Sequence, residues 1–192
     1  MDASEDIKLD LPQVGFGGRV EAEAALEGIF RAQYPRLINV LVRVTSDRGK
    51  AEELASEVFY KLAKRPVLFR PGNNLEGWLY RTAMNLGLDA LKIDLRRRRK
   101  EQAAAVEASR SAGNGSSPLD DVLRTEQRQR VRGILAGLRP AAARVLLLHH
   151  AGFSYRELAL VLEMNPASVG KLLLRSRIEF EKKYREQFEG ES

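Results

Sequence analysis

Apolar positions recur at helical spacing along most of this chain, and nowhere do they alternate as a strand requires. Residues 21–33 predict one helix. Pro35 ends it and suits the first turn of the next, which reaches about Val44. Ser46 or Asp47 caps a third helix, whose apolar stripe is Ala51, Leu54, Ala55, Val58, Phe59 and Leu62. Pro66, Pro71, Gly72, Asn73 and Asn74 predict a loop. A long helix then starts near Leu75, with Leu75, Leu79, Ala83, Leu86, Ala90 and Ile93 as its core side.

Residues 1–20 mix charges with Gly15, Gly17 and Gly18 and read as a flexible tail. Residues 108–118, mostly Ser, Gly and Ala and ending in Pro118, have the composition of a flexible linker. A second helical module spans 119–188, punctuated by Gly137, Pro140 and Gly152. Within it, Ser154-Tyr155-Arg156-Glu157 has the spacing of a capping box, followed by inward Leu158, Ala159 and Leu162. Glu163-Met164 makes a turn, Asn165 caps again, and Pro166 occupies the first helical position. Val169, Leu173, Ser176 and Phe180 then face inward, and Ser168, Lys171, Leu172 and Arg175 face out. Two short helices with so tight a turn fit a helix-turn-helix, or else a plain helical hairpin. The expected fold is all-α: two small helical domains, 21–107 and 119–188, joined by the linker.

Charge narrows the partner class. Among 192 residues there are 32 Lys and Arg against 26 Asp and Glu, a net charge of +6, which favours a polyanion. The chain has no cysteine, and its two histidines are adjacent, so no thiolate or multi-histidine metal site is expected, nor any cofactor. No apolar run is long enough for a membrane helix, and the acidic start lacks the order of a signal peptide, so the expectation is a cytoplasmic protein without membrane insertion. No nucleophile elbow, phosphate loop or metal spacing occurs, which points away from an enzyme.

Two faces carry candidate chemistry besides the helix-turn-helix. On the long helix, Trp78, Arg81, Asn85, Leu88, Lys92, Arg96 and Arg99 share a side. Aromatic, amide and basic groups in that order suit opened DNA, where bases stack, amides bond base edges and cations hold phosphates. Arg96 to Arg99 form a block that repels itself, so something anionic is expected to compensate it. On the third helix, Glu52, Glu53, Ser56, Glu57 and Tyr60 form a polar side, acidic on a basic protein, which fits either an ordinary solvated face or a basic protein partner.

Taken in order, these strings resemble the sigma-70 family of bacterial RNA polymerase sigma factors, in its small extracytoplasmic-function (ECF) form. Tyr34-Pro35-Arg36-Leu37, Ala51-Glu52-Glu53-Leu54 with Glu57-Val58-Phe59, and Trp78-Leu79-Tyr80-Arg81 with Ala83, Asn85 and Asp89 resemble region 2. Leu138-Arg139-Pro140 and Gly152-Phe153-Ser154-Tyr155-Arg156-Glu157-Leu158-Ala159 resemble region 4. The resemblance covers about residues 26–184. It implies that Glu53, Ser56, Glu57 and Tyr60 bind core RNA polymerase. It implies that Asn73, Asn74, Trp78, Arg81, Asn85, Lys92 and Arg96 meet the promoter −10 element. It places Tyr155, Arg156, Asn165, Ser168, Lys171, Leu172, Arg175 and Arg177 at the −35 element, and makes an anti-sigma factor a candidate partner. The chain departs from the family pattern at three places. Ser56 stands where Gln is frequent, Glu163 stands where the turn usually has Gly, and Gly170-Lys171-Leu172 replaces a more basic stretch. A sigma-like or helix-turn-helix regulator that does not itself initiate transcription is the alternative reading.

Overall fold

A computed structural model of the chain describes residues 19–109 and 119–188, with side chains described over 23–104 and 126–188. The helices are α1 (Arg19–Thr45), α2 (Arg48–Ala63), α3 (Leu75–Ser109), α4 (Leu119–Gly137), α5 (Pro140–His150), α6 (Tyr155–Leu162) and α7 (Pro166–Phe188). A short 3-10 turn, Pro66–Phe69, lies between α2 and α3. Among the described residues there is no strand, in keeping with the all-α expectation. The expected tail and linker lie outside the described residues, save 19–20 and 108–109, which are helical.

Pro35 does not divide the first helix as its chemistry predicts; α1 runs through it for 27 residues. A proline inside a helix removes one amide donor and crowds the carbonyl four residues back, at about 3 kcal/mol. Pro35 and Arg31 both lie on the exposed side, so the carbonyl that loses its donor faces solvent. The buried side of α1 (Leu37, Ile38, Leu41 and Val44) packs on α2 and α3 and holds the two halves in line.

α2 follows its pattern. Asp47 is the N-cap, its carboxylate accepting from the Lys50 amide at 2.9 Å, and all six stripe residues are buried. Burying Leu54, Val58, Phe59 and Leu62 stabilises by about 1.5–3 kcal/mol each, as an upper estimate.

α3 departs from its expected register. Its buried side is Leu75, Leu79, Tyr80, Ala83, Met84, Leu88 and Leu91. Leu88, expected on the nucleic-acid face, is 4% exposed, whereas Ile93, expected in the core, is 65% exposed. Leu86 and Ala90 are only partly buried. Gly87 explains the choice: a β-carbon there would come within 3.1 Å of a Leu41 methyl, so α1 crosses α3 at this bare backbone. That crossing draws in the neighbours of Gly87 and turns Ile93 outward.

In the second module α5, α6 and α7 pack around Val145, Leu148, Leu158, Val161, Val169 and Leu173. Ser176 is fully buried, its hydroxyl donating to the Leu172 carbonyl at 2.8 Å. The two modules do not stand apart. α3 packs on α6, α1 on α5 and α3 on α4, and the buried apolar residues form one continuous cluster across both.

Candidate functional site

Three polar surfaces on this frame hold the candidate residues. The first is the outer face of α2. Glu53, Ser56, Glu57 and Tyr60 are exposed together, opposite the buried stripe. Glu53 pairs with Lys50 and Glu57 with Lys61, both at 2.7 Å, which offsets the repulsion of carboxylates one turn apart. Ser56 donates to the Glu52 carbonyl at 2.9 Å, and the Lys64 ammonium lies 4.1 Å above the Tyr60 ring. Nothing in the described molecule covers this face, so it is free to meet a partner.

The second surface surrounds the start of α3. Asn74 caps the helix, its side-chain oxygen accepting from the Gly77 amide at 2.8 Å. A β-carbon at Gly77 would lie 2.3 Å from the Asn74 amide nitrogen, so the cap requires a glycine there. Asn73 instead ties the loop, donating to the Val67 carbonyl at 2.6 Å. Trp78 is half-buried against the core, with the Arg65 guanidinium 5.6 Å above its ring. Asn85 and Arg96 are exposed and Lys92 half-exposed along the same side. Leu88 is in the core and drops out of this surface.

The anionic compensation expected for the arginine block comes from within. Asp94 pairs with Arg98 at 3.0 Å, with Arg97 at 3.3 Å and with Arg132 of α4 at 3.2 Å. Among the described residues no ion pair involves Arg96 or Arg99.

The third surface is the helix-turn-helix. The capping box is formed: Ser154 accepts from the Glu157 amide, and the Glu157 carboxylate takes the Ser154 amide at 2.7 Å. Glu163 occupies the left-handed region at φ 52°, ψ 49°, which costs a non-glycine residue about 1–2 kcal/mol. Asn165 accepts from the Ala167 amide at 2.9 Å at the head of α7. Ser168, Lys171 and Arg175 are exposed on one side of α7, Arg177 is exposed one step round, and Tyr155 and Arg156 are exposed on α6. Leu172 is half-buried, so only part of it reaches that face.

Several polar residues that join the modules gave no sequence signal. Arg36 lies between them, 2.6 Å from Glu157 and 4.0 Å from Glu76. Its guanidinium stacks over Phe153 at 4.3 Å, and Tyr80 meets Phe153 edge to face at 4.8 Å. Burial pushes the Glu76 carboxyl above the ordinary range, which the Arg36 charge only partly offsets. Burial acts the same way on Glu157, but hydrogen bonds from Arg36 and Ser154 outweigh it and hold that carboxyl low. Burial also pushes the Tyr80 phenol up; its hydroxyl donates to the Gln33 side chain at 2.9 Å.

Residues 29–101 match the family model described as Sigma-70 region 2, a span from within α1 to within α3. That segment of the chain is similar to region 2 of the sigma-70 family. The relatives the chain resembles are RNA polymerase sigma factors, several of them of ECF type. It is 26% identical to the RNA polymerase sigma factor YlaC of Bacillus subtilis over 82% of this chain and 91% of that one. It is 29% identical to the probable ECF sigma factor SigI of Mycobacterium tuberculosis over 77% of this chain, but spans only 51% of that relative. Alignments of this length extend well beyond residue 101 into the helix-turn-helix module. Among solved structures, the sigma factor RpoE of Bartonella quintana, in complex with the anti-sigma factor NepR, superposes with a TM-score of 0.43 at 18% identity, covering 84% of this chain and 97% of that one.

Proposed function

We propose that this chain is a promoter-specificity subunit that binds core RNA polymerase and directs initiation by recognising and opening promoter DNA. The observation that carries this reading is the Sigma-70 region 2 match over 29–101, which takes in both the exposed acidic face of α2 and the amide-and-basic face of α3. Glu53, Ser56, Glu57 and Tyr60 form the polymerase contact. Asn73, Asn74, Trp78, Arg81, Asn85, Lys92 and Arg96 meet the opened −10 strand, with Trp78 offering a ring edge rather than a full stacking platform. Ser168, Lys171 and Arg175 enter the major groove at the −35 element, supported by Tyr155, Arg156, Asn165, Leu172 and Arg177. Residues 21–107 and 119–188 act as the two modules, joined by 108–118. The subunit catalyses no reaction, needs no cofactor and works in the cytoplasm, and an anti-sigma factor is a candidate regulator.

The test separates polymerase binding from promoter opening. Glu53→Gln with Glu57→Gln removes two exposed charges, and co-elution with core polymerase should weaken by about five- to thirtyfold, with helicity by circular dichroism retained. Arg81→Ala with Asn85→Ala should leave core binding intact and lower permanganate reactivity of the promoter thymines. Unchanged reactivity there, with run-off transcription absent from every promoter tried, would favour the non-initiating regulator.

A further inference from the structure

Two side chains of the proposed −10 surface are already engaged, and the helix-turn-helix engages them. Arg81 lies 2.6 Å from the Glu163 carboxylate and donates to the Val161 carbonyl at 3.1 Å. Asn74 donates to the Leu160 carbonyl at 2.6 Å. The last turn of a helix leaves carbonyls without internal donors and carries partial negative charge. Here α6 turns that end, together with a full carboxylate, toward α3. For Arg81 and Asn74 the result has the chemistry of a phosphate flanked by base acceptors.

The carboxylate is specific to Glu163. A glycine would adopt the same left-handed turn without strain, yet could not reach Arg81. Arg144 of α5 adds to the demand for an anion: burial, then the nearby Arg81 charge, pushes it below the ordinary arginine value. Meanwhile the outward face of α7, with Ser168, Lys171 and Arg175, remains exposed. The closed arrangement therefore covers the proposed −10 reader and leaves the proposed −35 reader open.

We propose that Glu163 is an internal stand-in for a DNA phosphate, latching the modules so that Arg81 and Asn74 meet single-stranded DNA only after α6 swings away. The inference rests on the −10 role proposed above, and the experiment keeps the two apart. The full chain has no native cysteine, so a dye pair on Val67→Cys and Ile178→Cys, both exposed positions, reports module separation without competing thiols. Binding is read in parallel, without polymerase, as anisotropy of a fluorescent single-stranded −10 oligonucleotide. Glu163→Gln should lower transfer efficiency and tighten oligonucleotide binding by about two- to fivefold, and Glu163→Lys should do both more strongly. Pairing Glu163→Lys with Arg81→Glu should restore the high transfer of the parent. Unchanged transfer in both Glu163 variants overturns the latch, and the −10 role then stands or falls on Arg81→Ala with Asn85→Ala in the holoenzyme. Lowered transfer without tighter binding overturns the occlusion, and normal promoter opening by that holoenzyme would show that the −10 assignment failed with it.

Discussion

At the scale of single residues, two glycines have opposite standing. Gly170 sits inside α7, and a β-carbon there would lie 3.6 Å from the Tyr155 ring, an ordinary contact. Gly170→Ala should therefore raise stability by about 0.5–1 kcal/mol, read as a higher urea midpoint at unchanged slope. Gly77 has no such room, because Asn74 occupies the space. Gly77→Ala should displace the cap and lower stability by about 1–2 kcal/mol in the same titration. Around Arg36, two carboxylates behave differently for a geometric reason: the close one, Glu157, is hydrogen-bonded, and the deeper one, Glu76, is not. Glu157 has a depressed folded value, so its contribution is complete above the unfolded value and is lost as pH falls through the lower folded one. Glu76 has a raised value, so its ionised form opposes the fold, a penalty absent in acid and complete above the folded value. Glu76→Gln should thus gain on the parent as pH rises from about 3 to 8, and Glu157→Gln should lose, with urea midpoints across that range as the measure.

At the scale of elements, α2 was legible because its six apolar residues define a single stripe, with polar residues on every other side. The capping box of α6 was legible because both partners lie within one turn. α3 carries apolar residues on two sides, so periodicity offers two stripes, 79/83/86/90/93 and 80/84/88/91. The choice is made by α1 at Gly87, which local sequence does not contain. Pro35 misleads for a related reason: the local cost of a proline is outweighed by packing from elements far along the chain. The contacts between modules were the least legible. Arg36 and Glu157 lie 121 residues apart, and Asn74 and Leu160 lie 86 apart, with nothing periodic to announce either pair. Arg132 is buried between elements, donating to the Thr45 carbonyl at 3.0 Å and to Asp94 at 3.2 Å. Arg132→Ala should destabilise by about 1–3 kcal/mol. Arg97 and Arg98 still neutralise Asp94, which keeps the loss below that of an isolated buried pair.

At the scale of the whole molecule, the faces differ in availability. The acidic side of α2 is open, the outward side of α7 is open, and the head of α3 is covered by α6. That order suits a subunit that meets polymerase before it meets single-stranded DNA. The covering helix depends on the contact too. The Leu160 carbonyl accepts from Asn74 beside the Glu163 amide, and the Val161 carbonyl accepts from Arg81, so on opening both lose a donor at the last turn of an eight-residue helix. A helix so short has little reserve against fraying, and its final turn sets the angle at which α7 is presented. The two proposed readers of the promoter thus share two hydrogen bonds. Releasing one loosens the hinge of the other, and the free, opened chain should exchange the Glu163 and Met164 amides with solvent faster than the closed one, until DNA or polymerase steadies that turn again.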